Sequence, residues 1–262
     1  MSDASRRVLV TGGASGLGAS LADAFAARGD RVVIGDLGPA TADATRAALH
    51  LDVRSDEDWA AAHAWVEREW GGLDVLVNNA GVAGGGRVDR TTMEEWRWIT
   101  EINLFGVVRG TRTFVPMLKE QRSGHVVNIA SLAGLVHPGG MGSYNAVKAG
   151  VVAFSETCAF ELAEYGVRVT CVCPSYFRTN LVAGMRGSDT AVGEVIGSLV
   201  DSAPLGPDEI AAAVLEGMDR GDELLLPDEA ARAAYELKLR DRAGYDSVMR
   251  KQAVRLNALG SA

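Results

Sequence analysis

Short apolar runs alternate with longer helical patterns along the whole chain, and this alternation limits the possible folds more than any other feature of the sequence. The runs are apolar at successive positions rather than at every second one, which is typical of strands buried on both faces. Helical segments between such strands predict a parallel sheet covered on two sides. No internal repeat, linker or break in composition divides the 262 residues. We therefore expect residues 1–262 to form one α/β domain, a doubly wound parallel sheet with helices on both faces.

The same patterns predict where the elements begin and end. The predicted strands are Val8–Val10, Val32–Ile34, His50–Val53, Val75–Val77, Val126–Ile129, Val167–Cys173 and Leu224–Leu226. The predicted helices are Leu17–Arg28, Ser55–Trp70, Met93–Glu120, Ser143–Glu164 and Asp208–Asp219, and the charged tail from about 228 to 262 is expected to be helical as well. Thr91 or Thr92 is the expected cap of the third helix, and Pro116 predicts a kink or a stop in it. Asp36 and Asp52 leave room for at most one helical turn between the second and third strands.

Composition argues against several classes of protein. A net charge of −8 and a pI near 5.1 disfavour binding to nucleic acid or to an anionic membrane. No apolar stretch reaches the roughly 18 residues of a membrane span. The first seven residues contain two arginines but lead into no signal-peptide core, so a cytoplasmic location is expected. The three cysteines have no Cys-His ligand spacing, which predicts reduced core thiols and no metal site.

A glycine-rich segment, Thr11–Gly18, joins the first predicted strand to the first predicted helix. Glycines let the backbone turn sharply and approach a pyrophosphate, while the start of a helix provides amide donors and partial positive charge. The positions expected to contact such a group are Gly12, Ser15, Gly16, Leu17 and Gly18. Taken alone, the segment could also be an ordinary tight turn.

Polar residues follow the next strands at the same end of the predicted sheet. Asp36 ends the second strand, where an acid can accept hydrogen bonds from both hydroxyls of a ribose. Asp52 and Val53 end the third predicted strand and could bind an adenine edge. The fourth strand is followed by Asn79, Ala80 and Gly81. Doubly wound sheets bind ligands at the C-terminal ends of their strands, so these residues predict a Rossmann-like dinucleotide site.

Five motifs, in their order along the chain, resemble those of the single-domain branch of the short-chain dehydrogenase/reductase family. They are Thr11-Gly-x-x-x-Gly-x-Gly18, Asp52, Asn78-Asn-Ala-Gly81, Ser131 and Tyr144-x-x-x-Lys148. The resemblance implies an oxidoreductase with a nicotinamide cofactor. Tyr144 and Lys148 are expected to contact this cofactor, and Pro174 and Thr179 to lie beside its nicotinamide. It also implies that Asn103 is buried and helps to hold a water that links Lys148 to solvent.

The sequence departs from the family pattern near the expected nicotinamide and in the tail. The family's Pro-Gly after the sixth strand is Pro174-Ser175 here, which puts the shape of that loop in question. After Leu226 the chain continues with Pro227-Asp228 and a charged helix, where many family members have a glycine-rich ending.

The spacing of Tyr144 and Lys148 carries the predicted chemistry. The two residues are four apart on one predicted helix, so their side chains lie on the same face. A lysine charge about 4 Å away contributes about 4 kcal/mol at an effective dielectric constant near 20. Lowering the pKa of a tyrosine by two units from about 10 needs only about 2.7 kcal/mol. We therefore expect Tyr144 to act as a general acid/base with a pKa well below 10, while Ser131 hydrogen-bonds the substrate oxygen.

The predicted reaction is hydride transfer between NAD(H) and a mostly apolar secondary alcohol or ketone. NAD is expected over NADP because Asp36 would repel the additional phosphate, and neither Ser15 nor Leu37 provides a cation. An enoyl reductase is disfavoured because its tyrosine and lysine lie further apart. A ketoacyl reductase would be expected to prefer NADPH. A non-catalytic NAD(H)-binding regulator remains a further alternative, against which stands the complete set Asn103, Ser131, Tyr144 and Lys148.

Other predictions concern the periphery of the domain. The segment 175–203 contains apolar residues and glycines, which predicts a lid over the substrate. The helices Met93–Glu120 and Ser143–Glu164 are apolar on more than one face, which predicts a homodimer or homotetramer. His137 is interpreted as a surface residue of a loop, and the pair Trp96 and Trp98 as packing residues.

Overall fold

The computed structural model of the protein describes residues 5–38 and 46–259, apart from the side chains of residues 182 and 183. Its centre is a seven-stranded sheet in the order β3-β2-β1-β4-β5-β6-β7, and every neighbouring pair is parallel. The strand order reverses between β1 and β4, which places a crevice at their C-terminal ends. The predicted α/β fold class is thus confirmed.

The elements have the following bounds. The strands are β1 Arg7–Thr11, β2 Arg31–Asp36, β3 Arg46–His50, β4 Val75–Asn78, β5 Gly124–Ile129, β6 Val167–Val172 and β7 Leu224–Leu225. The α-helices are α1 Gly16–Ala27, α2 Asp56–Trp70, α3 Met93–Thr100, α4 Gly106–Gln121, α5 Gly142–Leu162, α6 Thr190–Asp201, α7 Pro207–Arg220, α8 Glu229–Arg240 and α9 Arg242–Ala258. None of the helices in the described ranges combines the length and hydrophobicity that crossing a membrane requires.

Successive side chains of β1 pack alternately against the helical layers on the two faces of the sheet. Val8 and Val10 belong to an apolar cluster with residues of α1 and α7 on one face of the sheet. Leu9, between them, belongs to a second cluster with residues of α2, α4 and α5 on the opposite face. All three side chains are fully buried. Burial of both faces explains why this strand is apolar at successive positions.

The third strand differs from its prediction. It spans Arg46–His50, pairs with β2, and ends before the apolar Leu51 on which the prediction rested. An edge strand is only half covered, and the first four residues of β3 are correspondingly partly buried while His50 is exposed, so their pattern gives a weak signal. Asp52 and Val53 consequently lie in the loop after the strand. The predicted single helical turn between β2 and β3 falls on residues 39–45, outside the described residues.

The predicted long helix is two α-helices joined by a π-helical turn, Glu101–Phe105. Thr92 caps α3 through a reciprocal pair of bonds, in which its hydroxyl accepts from the Glu95 amide at 3.2 Å and its own amide donates to the Glu95 carboxylate at 2.7 Å. Of the kink or stop predicted at Pro116, the stop is wrong, since α4 continues to Gln121. Phe114 and Leu118 are fully buried on either side of the proline, and this packing offsets the lost backbone hydrogen bond.

Candidate active site

One cavity of about 580 Å³ opens at the C-terminal ends of the strands. It contains a groove next to β1 and β2 and a second lobe lined in part by residues of the segment 175–203. The predicted site residues that line it are Gly12, Ser15, Gly16, Leu17, Gly18, Asp36, Asp52, Val53, Asn79, Ala80, Gly81, Ser131, Tyr144, Lys148, Pro174 and Thr179. The fold therefore brings together residues from widely separated segments of the chain, as expected for residues at the ends of parallel strands.

The glycine-rich loop has the shape that close approach to a ligand requires. Gly12 and Gly16 adopt the left-handed backbone conformation, with φ of 64° and 53°. A methyl group added at Gly12 would lie 2.8 Å from the Cα atom of Ala80. Ser15 precedes the first turn of α1 and makes no capping hydrogen bond with its side chain, although it and the first helical residues line the cavity. The free amides and positive end of α1 therefore fit a pyrophosphate.

Asn79 holds this loop in place through hydrogen bonds of its side chain. Its side-chain amide donates to the carbonyl oxygens of Thr11 at 2.9 Å and Gly12 at 3.2 Å. The Thr11 hydroxyl in turn accepts from the backbone amides of Asn79 and Ala80. These bonds tie the end of β4 to the end of β1 at the crevice.

The far end of the groove carries two carboxylates in different surroundings. Asp36 accepts hydrogen bonds from the backbone amides of Ala14 at 3.0 Å and Gly38 at 3.1 Å. Within the described residues no arginine or lysine pairs with it. Asp52 accepts from the guanidinium of Arg54 at 2.6 and 2.9 Å, and this partner lowers the pKa of Asp52 below its usual value. Arg54 also lines the groove, although no motif had indicated it.

Tyr144 and Lys148 project from α5 into the cavity beside Ser131, which follows β5. All three positions line the cavity, with Tyr144 8% and Lys148 5% exposed. The Lys148 ammonium donates to the carbonyl oxygen of Ile129 at 2.9 Å and lies 5.8 Å from the centroid of the Tyr144 ring. Ser131 begins a short 3₁₀ turn, and its hydroxyl accepts from the Ala133 amide at 3.1 Å.

Burial dominates the ionisation of this pair. It raises the pKa of Tyr144 to about 12, against the opposing effect of a hydrogen bond with Ser131. It lowers the pKa of Lys148 to about 8. The predicted depression of the Tyr144 pKa is therefore wrong for the polypeptide on its own. Desolvation of the phenolate outweighs the lysine, whose ammonium is turned towards the Ile129 carbonyl.

Asn103 lies behind the cavity wall and does not line it. Its fully buried side chain accepts from the Val82 amide at 2.8 Å and donates to the Val82 carbonyl at 2.9 Å. A methyl group at Gly81 would lie 3.0 Å from the Asn103 oxygen and 3.8 Å from the Lys148 nitrogen. Asn103 thus holds the backbone beside Lys148, and the π-helical turn around it is a feature that the sequence pattern did not indicate.

The two departures from the family pattern meet in space. Ser175 donates to the carboxylate of Asp228 through its amide at 2.9 Å and its hydroxyl at 2.6 Å. The same carboxylate caps α8 by accepting from the Ala231 amide at 2.8 Å. Buried Asp228 from the tail therefore fixes the loop that follows Pro174. This loop approaches the glycine-rich loop, since a methyl group at Gly16 would lie 3.2 Å from the Thr179 hydroxyl.

The second lobe of the cavity has mostly apolar walls. They include Val82, Trp98, Leu132, Val136, Met141, Tyr176, Leu181, Ile196 and Val200. Trp98 thus faces the cavity as well as packing, which corrects its interpretation as a packing residue alone. His137 does not line the cavity and is exposed, and its ring contacts the ammonium of Lys238 at 3.2 Å.

Comparisons with known proteins agree with this geometry. Residues 6–189 match the sequence model of the family described as short chain dehydrogenase. The chain belongs to this family. It is 38% identical to the trans-4-hydroxycyclohexanecarboxylate dehydrogenase of Sinomonas cyclohexanicum over 70% of this chain and 76% of that protein. It is 39% identical to a 3-alpha-(or 20-beta)-hydroxysteroid dehydrogenase of Mycobacterium bovis over 65% of this chain and 68% of that protein.

Solved structures of the short-chain dehydrogenase family have the same fold. A member from Burkholderia phymatum in complex with NAD superimposes with a TM-score of 0.84, at 26% identity, over 92% of this chain and 96% of that one. A member from Burkholderia cenocepacia in complex with NADP superimposes with a TM-score of 0.76, at 25% identity, over 95% of this chain and 99% of that one. The protein is therefore an oxidoreductase of a family that binds a nicotinamide cofactor, and the choice between the two cofactors depends on its own residues.

Proposed function

We propose that this short-chain dehydrogenase oxidises an apolar cyclic secondary alcohol with NAD⁺, and reduces the corresponding ketone with NADH. The observation that carries the proposal is the position of Ser131, Tyr144 and Lys148 in the same cavity as the glycine-rich loop. The similar dehydrogenases from Sinomonas and Mycobacterium act on cyclic alcohols by their names, a hydroxycyclohexanecarboxylate and a hydroxysteroid. The apolar walls of the second lobe fit the hydrocarbon body of such a substrate.

Each polar group has a role in this mechanism. When bound, the nicotinamide accepts or delivers the hydride and, in its oxidised form, adds a positive charge near the site. In the oxidation, the Tyr144 phenolate takes the proton of the alcohol while Ser131 donates a hydrogen bond to the same oxygen. Lys148 favours the phenolate by its charge. Asn103 acts through the backbone around Val82 and Gly81, which keeps Lys148 in place.

A panel of alcohols tests the proposal. Cyclohexanol, 4-hydroxycyclohexanecarboxylate and a 3-hydroxysteroid are supplied with NAD⁺, with 2-butanol as an acyclic control, and the absorbance of the reduced nicotinamide is followed. We expect turnover of at least one cyclic alcohol at a kcat/KM clearly above that of 2-butanol. Binding of NADH without turnover of any alcohol would instead support the non-catalytic regulator.

Asp36 is expected to make the protein prefer NAD over NADP. A carboxylate facing the additional phosphate costs several kcal/mol in a partly desolvated site, so kcat/KM with NAD⁺ should exceed that with NADP⁺ by about a hundredfold, or ~2.7 kcal/mol. Asp36→Asn removes the charge but keeps the shape, and it should lower this preference about tenfold.

The dissociation constants of NADH and NADPH, measured by fluorescence, give a readout independent of turnover. Asp201→Asn, at an exposed site outside the cavity, is the matched control. A preference for NADPH in the unmodified protein would contradict this prediction.

An exposed apolar surface supports the proposal of a dimer or a tetramer. Phe160 on α5 is 70% exposed, and Phe105, which immediately precedes α4, is 44% exposed. Water contact at such large side chains is unfavourable, so we expect α4 and α5 to pack against a second copy. Phe160→Glu should therefore shift the protein towards the monomer at micromolar concentration, as measured by light scattering. Leu239→Glu, at an apolar residue of α8 that is 67% exposed, should leave the mass unchanged. A monomeric mass for the unmodified protein would refute the interface.

A cytoplasmic location is also part of the proposal. Cys158, Cys171 and Cys173 are buried free thiols, and the sulfur atoms of the last two lie 3.9 Å apart without a bond. Reduced thiols in this arrangement are typical of cytoplasmic proteins.

A further inference from the structure

The substrate end of the cavity contains a charge that the proposed reaction does not use. Among the described residues that line the cavity, the charged ones are Asp36, Asp52, Arg54, Lys148 and Arg186. The first three lie at the far end of the groove, after β2 and β3, and Lys148 belongs to the proposed catalytic group. Arg186 is therefore the cation of the apolar second lobe.

Arg186 is exposed at the edge of the cavity, and contacts of its ring partner and its backbone support its position. Its backbone forms a parallel bridge with Gly84, another cavity residue. Its guanidinium carbon lies 5.2 Å from the ring centroid of Trp98, which holds the side chain by a cation–π contact. Three residues further on, buried Asp189 accepts from the guanidinium of Arg87 at 2.6 and 2.7 Å, which anchors the segment. The positive charge of Arg186 therefore lies on a segment of the cavity wall that these contacts hold in place.

The guanidinium has no carboxylate partner among the described residues. Asp189 pairs with Arg87 and with Arg90, which lies 3.7 Å away. Glu95, on the helix that carries Trp98, accepts instead from Ser188 and Thr92. A contact with an aromatic ring does not use the N–H groups of a guanidinium, which can still bind a carboxylate through two parallel hydrogen bonds.

An apolar surface connects this cation with Tyr144. Trp98, Met141, Tyr144, Ile196 and Val200 belong to one hydrophobic cluster, and all five also line the cavity. A substrate that spans this surface would place its alcohol at Tyr144, its hydrocarbon ring on the apolar wall and its other end at the arginine.

We propose that Arg186 is a specificity-determining residue that binds a carboxylate of the substrate, so that the preferred substrates are cyclic hydroxy acids and the corresponding oxo acids. The inference rests on the proposed function, because it names the substrate class of the same site. The competing interpretation is that Arg186 only supports the lid by packing on Trp98. In that case its loss would affect charged and neutral substrates equally.

The test compares a matched pair of substrates in the unmodified protein and three variants. The substrates are 4-hydroxycyclohexanecarboxylate and its neutral carboxamide, each with saturating NAD⁺. Arg186→Met keeps a long apolar side chain on Trp98 but removes the charge, whereas Arg186→Lys keeps the charge. Arg97→Met removes an exposed arginine that precedes Trp98 but does not line the cavity.

We expect the unmodified protein to prefer the acid over the amide by at least about tenfold in kcat/KM. Arg186→Met should lower kcat/KM for the acid about tenfold or more, mainly through KM, and change that for the amide less than about threefold. Arg186→Lys should retain part of the preference, and Arg97→Met all of it. Binding of cyclohexanecarboxylate to the NADH-bound protein, followed by nicotinamide fluorescence, should weaken in parallel.

Two results would overturn the proposal while leaving the proposed function intact. One is equal turnover of the acid and the amide by the unmodified protein. The other is an equal loss for both substrates in Arg186→Met. If neither substrate nor any other cyclic alcohol were oxidised, the proposed function would fail, and the binding of cyclohexanecarboxylate would still decide the role of Arg186.

Discussion

Replacement of Tyr144 by phenylalanine is expected to reduce turnover about a thousandfold, within the range attributed to general acid–base catalysis. The substitution removes the only atom of the side chain that can exchange a proton with the substrate oxygen, and it keeps the buried ring. Burial raises the pKa of Tyr144 to about 12, so the phenol is neutral at pH 7 and its replacement leaves no buried charge behind. Both kcat for alcohol oxidation and kcat for ketone reduction should fall.

The control for Tyr144→Phe is Tyr176→Phe. Tyr176 lines the same cavity, and its hydroxyl donates to the sulfur of Met141 at 3.5 Å. Its loss should change kcat less than about threefold, or ~0.65 kcal/mol. Both variants should bind NADH as the unmodified protein does, because neither hydroxyl belongs to the glycine-rich loop. Retention of more than about a tenth of the turnover in Tyr144→Phe, a loss below about 1.4 kcal/mol, would show that another group is the acid/base.

Replacement of Lys148 by methionine is expected to lower activity and raise stability at the same time. Removal of the ammonium takes away the charge that favours the Tyr144 phenolate, so alcohol oxidation should fall about a hundredfold at neutral pH. The rise of the oxidation rate with pH should also move to higher pH, because the phenolate then forms less readily. The rate of ketone reduction, which needs the phenol, should begin to fall at higher pH than before.

The gain in stability follows from the burial of Lys148. Its pKa of about 8 in the folded protein, against an ordinary value of 10.5, corresponds to a desolvation cost of about 3 kcal/mol at pH 7. Loss of the hydrogen bond to Ile129 offsets about 1 kcal/mol of this. The free energy of unfolding should therefore rise by about 2 kcal/mol in Lys148→Met.

The pH dependence of this stability difference has a definite sign. Because the folded-state pKa of Lys148 is lowered, the unfolded chain binds more protons above pH 8, so the unmodified protein should gain stability relative to Lys148→Met from about pH 8 to 10. The raised pKa of Tyr144 lowers stability only above about pH 10, outside the range in which Lys148 titrates. Denaturant unfolding at several pH values measures this difference in the free energy of unfolding.

The control is Lys119→Met, which removes an ammonium 4.4 Å from the Tyr165 ring outside the cavity. Equal stability of Lys148→Met and the unmodified protein at pH 7 would contradict a desolvation cost at this lysine.

Local sequence patterns were sufficient to predict those parts of the site that depend only on where a residue lies along a helix or strand. Strands that are buried on both faces are apolar throughout, so the apolar runs located β1, β4 and β5 to within two residues. Parallel strands end at one edge of a sheet, which brought Gly16, Asp36 and Ser131 into one cavity, as predicted. The helical spacing of Tyr144 and Lys148 likewise placed both side chains on the cavity side of α5.

Local sequence patterns failed where the ends of a helix or strand depend on the neighbouring elements that cover it and not on its own residues. The edge strand β3 is only half covered, and its residues Arg46–His50 include none of the β-branched residues that mark the central strands. The π-helical turn at Glu101–Phe105 was not predicted, because a single five-residue turn is too short for residue spacing to distinguish it from the α-helices on either side. The pKa of Tyr144 was misjudged for a related reason, since spacing gives the distance to a lysine but not the loss of solvent around both groups.

The sheet, the glycine-rich loop and the pairing of Tyr144 with Lys148 could be predicted because each depends on residues close together in the chain. Folding was needed to reveal which distant residues act on them. Asp228 in the tail fixes Ser175 beside the cavity, across 53 positions of sequence. Trp98 contacts Arg186 at the cavity wall, and the two residues belong to separate segments. Such pairs form only after the chain has folded, and the residue periodicity within one segment does not indicate which distant residue it will contact.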